Sequence, residues 1–100
     1  MTDNYLVTLI AAPSLEETLV DWLLSHEGRY GFTSACVAGH ASRHQGLSLE
    51  EQVAGRKKQV RFEMHVHQAD LAGLLAGLKE DFTGTGLHYW VSPVMECGSL

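Results

Sequence analysis

The sequence has no long apolar run: no stretch approaches the about 20 residues that a membrane-spanning helix needs. Its start, MTDNYLVTLIAAP, lacks the basic opening and cleavage pattern of a secretory leader. The expectation is a cytoplasmic protein with no direct membrane insertion. Cysteine is scarce, Cys36 and Cys97 being the two present, so no disulfide framework is available and both are expected as free thiols. Positive charge is outnumbered, with seven Lys and Arg against twelve Asp and Glu and a formal net charge of −5. Nucleic-acid binders normally carry a basic field, so that partner class is excluded. Catalytic signatures are missing too: no P-loop, no HExxH and no nucleophile elbow occur. Cys36 with His40 can be drawn as nucleophile and base, but no third member or oxyanion hole is marked. The chain is therefore not expected to be an enzyme.

At 100 residues the chain reads as one domain, 1–100. A domain of this size buries about two thirds of the surface its unfolded chain exposes, so its core is modest and oligomerisation adds to it. Histidine, by contrast, is abundant, with six copies.

Tyr5 to Ala12, YLVTLIAA, is a short apolar run rich in β-formers that stops at Pro13, and it predicts a buried strand. PSLEETLVDWLLSHEG follows. Ser14 and Glu17 have capping-box spacing, while Leu15, Leu19, Trp22 and Leu23 form one helical stripe. His26 and Gly28 are placed to close that helix. FTSACVAGHAS predicts a second strand, and LSLEEQVAG one or two helical turns inside the polar excursion after it. KKQVRFEMHVHQ alternates cleanly: Val60, Phe62, Met64 and Val66 point one way, and Arg61, Glu63, His65 and His67 the other. In ADLAGLLAGLKEDF, Leu71, Leu74, Leu75, Leu78 and Phe82 share a helical face, while Gly73 and Gly77 suggest close approach of another backbone. LHYWVSPVME predicts a last strand, with Tyr89 and Trp90 on opposite sides and Pro93 limiting its far half to an edge or an end.

The order β-α-β-β-α-β predicts an α+β fold, the ferredoxin-like split-βαβ sandwich. Two helices would lie on one face of a four-stranded antiparallel sheet whose first and third strands are central. The other face stays free for water or for another subunit.

His65 and His67 stand in His-x-His spacing on a strand, which puts two imidazoles on one face, a pattern suited to zinc, copper or nickel. Met64 between them points into the core. Cys36, His40 and His44, spaced by three, offer further candidate ligands, with His88 and Cys97 as partners from the C-terminal part. The competing reading is a small buried cysteine with surface histidines. Arg56, Lys57 and Lys58 follow Gly55, and clustered cations beside flexible backbone hold small anions such as phosphate or carboxylate.

Taken with the element order, PSLEETLVDWLL, GFTS, GHAS, LSLEEQVAGRKKQVRF and LHYWVSPV resemble the PII-like superfamily of PII signal proteins and CutA-type proteins. The resemblance covers nearly the whole chain. Within that superfamily it is strongest to short, uncharacterised proteobacterial PII-like proteins, often encoded beside heavy-metal efflux pumps. It implies a homotrimer with the sheets packed inward and a regulatory role linked to metal homeostasis. The excursion at residues 41–58 would correspond to the mobile loop that contacts ligands and target proteins, here such as a metal-efflux component. Ligands would bind between subunits, near Gly39, Gly55, Arg56, Lys57 and Lys58, and a transition-metal ion is the cofactor the resemblance suggests. A directly metal-binding, CutA-like protein and a small-anion or nucleotide-binding protein are the alternatives. The chain departs from true PII proteins in its shorter loop without tyrosine. DFTGTGLH also has no basic residue, so ordinary PII nucleotide binding does not carry over.

Overall fold

The computed structural model describes residues 3–26, 31–40 and 56–100. Strand β1 (Asn4–Ala11) leads through a 3-10 turn (Pro13–Leu15) into helix α1 (Glu16–Ser25). Strands β2 (Phe32–Gly39) and β3 (Lys57–His67) are followed by helix α2 (Gln68–Phe82) and strand β4 (His88–Pro93). The sheet runs β2-β3-β1-β4 with every pairing antiparallel. The first and third strands are central, as their β-branched and aromatic residues predict. Pro93, which has no N–H for a ladder, ends an edge strand.

The alternation in β3 sorts as expected. Val60, Phe62, Met64 and Val66 are buried with Val7, Leu9 and Ala11 of β1. Leu19 and Leu23 of α1 and Leu74, Leu78 and Phe82 of α2 close the core, with Leu15, Trp22, Leu71 and Leu75 packed at its margin. Ser34, Cys36 and Ala38 lie opposite Phe62, Val60 and Lys58, hence on the helix side, yet all three are exposed. The edge strand β2 is thus left uncovered here, while Phe62 and Val60 beside it on β3 are buried.

Two local expectations change. Ser14 does not cap α1: Pro13 opens a 3-10 turn that places Ser14 inside it, and no side-chain hydrogen bond caps either the turn or the helix. β3 already begins at Lys57, so Lys57 and Lys58 are strand residues rather than the end of a loop. Its ladder to β2 draws them into regular pairing, Gly39 opposite Lys57 and Ala38 opposite Lys58. The predicted turns at LSLEEQVAG, and Gly28, lie outside the described residues.

The two helical glycines also part company. A Cβ on Gly77 would come within 3.1 Å of the Trp22 ring, so the close approach is to an indole and not to a backbone. A Cβ on Gly73 would meet nothing within 4 Å. Gly73→Ala should therefore stabilise the protein by about 0.5–1 kcal/mol through helix propensity and lost unfolded-state freedom. Gly77→Ala should fall short of that gain, because the indole must shift. Urea titration of the two variants side by side checks the difference.

Candidate functional site

Residues opposite one another in an antiparallel ladder share a face, so the registers map the side of the sheet that the helices leave bare. Its rows read Gly39–Lys57, Val37–Gln59, Ala35–Arg61–Ile10–His88, Thr33–Glu63–Thr8–Trp90, His65–Leu6–Ser92 and His67–Asn4. Trp90 is thus on the bare face, 52% exposed, and Tyr89 on the helix side. Thr8, at the centre of its row, is only 2% exposed, and Leu6 and Ile10 beside it are half-buried. Charge is graded along β3, from Lys57 and Arg61 to Glu63 and then the two histidines. Arg61 Nε and Glu63 Oε1 are 3.6 Å apart, a surface pair worth about 0.2–1 kcal/mol. A shallow depression of about 390 Å³ lies between Leu6, Thr33, Glu63 and His65.

At the far end of the β2–β3 ladder the chain leaves the sheet at Gly39 and re-enters at Lys57 directly opposite. The Gln59 carboxamide lies over Gly39, in the space a Cβ would take. Arg56 is exposed just before β3, and Lys58 points to the helix side. The cations therefore straddle the sheet edge-on instead of converging on one face. Gly55 and His44 lie outside the described residues.

The candidate metal ligands do not gather in one place. Cys36 lies opposite Val60 on the helix side of an edge strand, whereas His65 and His67 are on the bare face, so the sheet stands between them. Cys36 is exposed, not the small buried cysteine of the competing reading. His40 follows β2 directly and is exposed, His88 sits beside Ile10 at the opposite end from His67, and Cys97 is an exposed free thiol. Among the described residues no group of three or more His, Cys, Asp or Glu side chains converges. His65 and His67 supply two ligands at most from one chain.

His67 has a second task that its spacing concealed. It is the N-cap of α2, and its Nδ1 accepts the Ala69 backbone N–H at 3.1 Å. A neutral imidazole whose Nδ1 accepts carries its proton on Nε2, so coordination by either nitrogen displaces the cap or that proton. His67→Ala should destabilise α2 by about 0.5–2 kcal/mol, and His67→Asn, a good N-cap, by much less. Thermal melts of both variants without metal check this. His67→Asn is the cleaner substitution wherever metal binding is to be tested.

The same fold recurs in solved structures. A DUF3240 family protein of Shewanella baltica OS155 is 25% identical, with a TM-score of 0.79, over 100% of this chain and 99% of that one. A PII-like signalling protein of Thermus thermophilus is 24% identical, with a TM-score of 0.65, over 91% and 86% of the two chains. CPII, a nitrogen regulatory PII-like protein of Thiomonas intermedia K12 bound to ADP, AMP and bicarbonate, is 15% identical. Its TM-score is 0.70, over 97% of this chain and 96% of that one. No curated protein matches the chain. The split-βαβ sandwich is thus the PII-like form of the ferredoxin-like fold. The family model described as "Protein of unknown function (DUF3240)" matches residues 1–100, and the chain belongs to that family.

Proposed function

We propose that this chain is a non-enzymatic sensor or regulatory adaptor of the PII-like kind, a single cytoplasmic domain that assembles as a homotrimer. The observation that carries this reading is the closed β2–β3 ladder, which pairs Gly39 with Lys57 at its end. The intervening segment leaves and rejoins the sheet at adjacent points, with Arg56, Lys57 and Lys58 at the return. A ladder that closes at both ends of a segment lets the segment's sequence serve a ligand or target protein without disturbing the strand pairing. The bare face, with Trp90 exposed and Leu6 and Ile10 half-buried, supports packing against further copies. Heavy-metal homeostasis is the process we assign, with a metal-efflux component as the protein target. His65 and His67 would take a metal ion with help from a second copy.

A second reading has its own support. Arg56 and Lys57 beside Gly39 would supply positive charge for a small anion at the edge of the sheet, and the CPII relative is bound to ADP, AMP and bicarbonate.

Native mass spectrometry of the untagged protein, alone and with zinc, copper, nickel or ADP, tests both readings. The expected species has three times the 11.0 kDa chain mass and takes up a defined number of metal ions. Uptake should be lost in His65→Ala/His67→Asn. ADP uptake that is lost in Arg56→Ala, with no metal bound, would favour the anion reading. A monomer under every condition would overturn the assembly.

A further inference from the structure

On the helix side of the β4 edge, α2 and the turn after it enclose a cleft of about 120 Å³. Leu75, Leu78, Phe82, Leu87 and Tyr89 form its walls. Leu78 and Phe82 are core residues, so the cleft is an opening into the hydrophobic core and not a surface dimple. Gly84 and Gly86 line the turn side, both with positive φ, and a Cβ on either would meet nothing within 4 Å. Thr83 lines the cleft beside them, and the two glycines add no side chain of their own.

One charged group borders this apolar space. Lys79 lines the cleft, its ammonium 6.0 Å from the centroid of the Tyr89 ring, at the outer limit of a cation–π contact. No carboxylate among the described residues pairs with it. In a chain of net charge −5, this cation, paired with no carboxylate among the described residues, brings positive charge to an apolar opening, although Glu80 and Asp81 follow it. An apolar cavity of about 150 Å³ holds one benzene ring, so the volume here matches a single ring or a short branched chain.

We infer that this cleft binds a small amphipathic carboxylate, aryl or branched aliphatic. The apolar part lies between Leu75, Phe82 and Tyr89, and the carboxylate meets Lys79. The volume fits one ring rather than a whole nucleotide, and the apolar walls disfavour fully polar anions such as bicarbonate. Among the described residues its lining falls between 75 and 89, on the side of the sheet opposite the bare face.

The test is a titration of the full-length, isotope-labelled protein with sodium benzoate and, separately, with neutral benzamide, followed through its amide resonances. Benzoate should give saturable shifts concentrated at residues 75–89, half-complete at about 1 mM, the scale open to so small a ligand. Benzamide should bind up to about fivefold more weakly, the limit for an exposed charge contact. Lys79→Met, at an exposed position, should remove that difference, and Leu75→Trp should abolish the shifts for both probes by filling the cleft. Absence of saturable shifts at roughly 20 mM benzoate would overturn the site. Equal affinity for the two probes, or a benzoate preference that survives Lys79→Met, would overturn the assignment of a carboxylate. Lys79→Met decides that point even if Leu75→Trp fails to fold.

Discussion

Phe62→Ala should lower the thermal unfolding midpoint by roughly 15–30 °C, from a loss of about 3–5 kcal/mol. Phe62 is fully buried and heads the largest side chains with no exposure. It sits on a central strand opposite Leu9 and Ser34, with its ring 6.2 Å from that of Phe32. Truncation removes contacts to both neighbouring strands and leaves a void that rigid sheet backbone does not close. A small domain holds about 5–15 kcal/mol in all, so the variant keeps little reserve. Phe62→Leu, which retains most of the volume, should lose less than about 1.5 kcal/mol if its neighbours repack. Urea titration at one fixed protein concentration, with the m-value unchanged, measures both losses. A loss below about 1 kcal/mol for Phe62→Ala would mean that the core is not organised around this ring.

Trp22→Ala should destabilise by about 3 kcal/mol, the low end of the range for large aromatic truncations, because Trp22 is only partly buried. The indole bridges the two helices. Its Nε1 donates to Asp81 Oδ2 at 2.6 Å, and its ring meets Phe82 edge-on at 5.6 Å. It lies over Gly77, and the His26 ring stacks on it at 3.8 Å while His26 Nδ1 contacts the Trp22 carbonyl at 2.7 Å. Trp22→Phe separates these contributions. It keeps an aromatic ring against Phe82 and Gly77 but loses the hydrogen bond to Asp81. That bond is exposed, so its loss should amount to about 0.5–1.5 kcal/mol. Asp81→Ala should then have almost no effect in the Trp22→Phe background, and a double-mutant cycle by urea titration checks the coupling.

The strands and helices were legible because their signals are local. The alternation from Val60 to Val66 admits one buried face, and Leu19 with Leu23, or Leu74 with Leu78, recur at helical spacing. Where a residue's role depended on the turn beside it or on a distant segment, spacing misled. Ser14 and Glu17 have the spacing of a cap, yet Pro13 captures Ser14 in a 3-10 turn. Gly73 and Gly77 look equivalent four residues apart, and only the position of Trp22, in the other helix, tells them apart. His65 and His67 look like a matched pair of ligands, but the turn into α2 gives His67 a backbone N–H to accept. Cys36 reads as a neighbour of the histidines until strand order puts the thickness of the sheet between them.

By itself, the sequence determined the α+β class, the element order, the two central strands and the apolar faces that meet in the core. Periodicity and turn chemistry act over a few residues, so they survive without knowledge of the partner. Tertiary structure alone decided which polar residues of different strands share a side of the sheet, which glycine an indole rests on, and that Lys79 stands beside Tyr89 at a cleft lined by core residues. Those are contacts between residues remote along the chain, and register and helix placement set them through packing that no local pattern encodes.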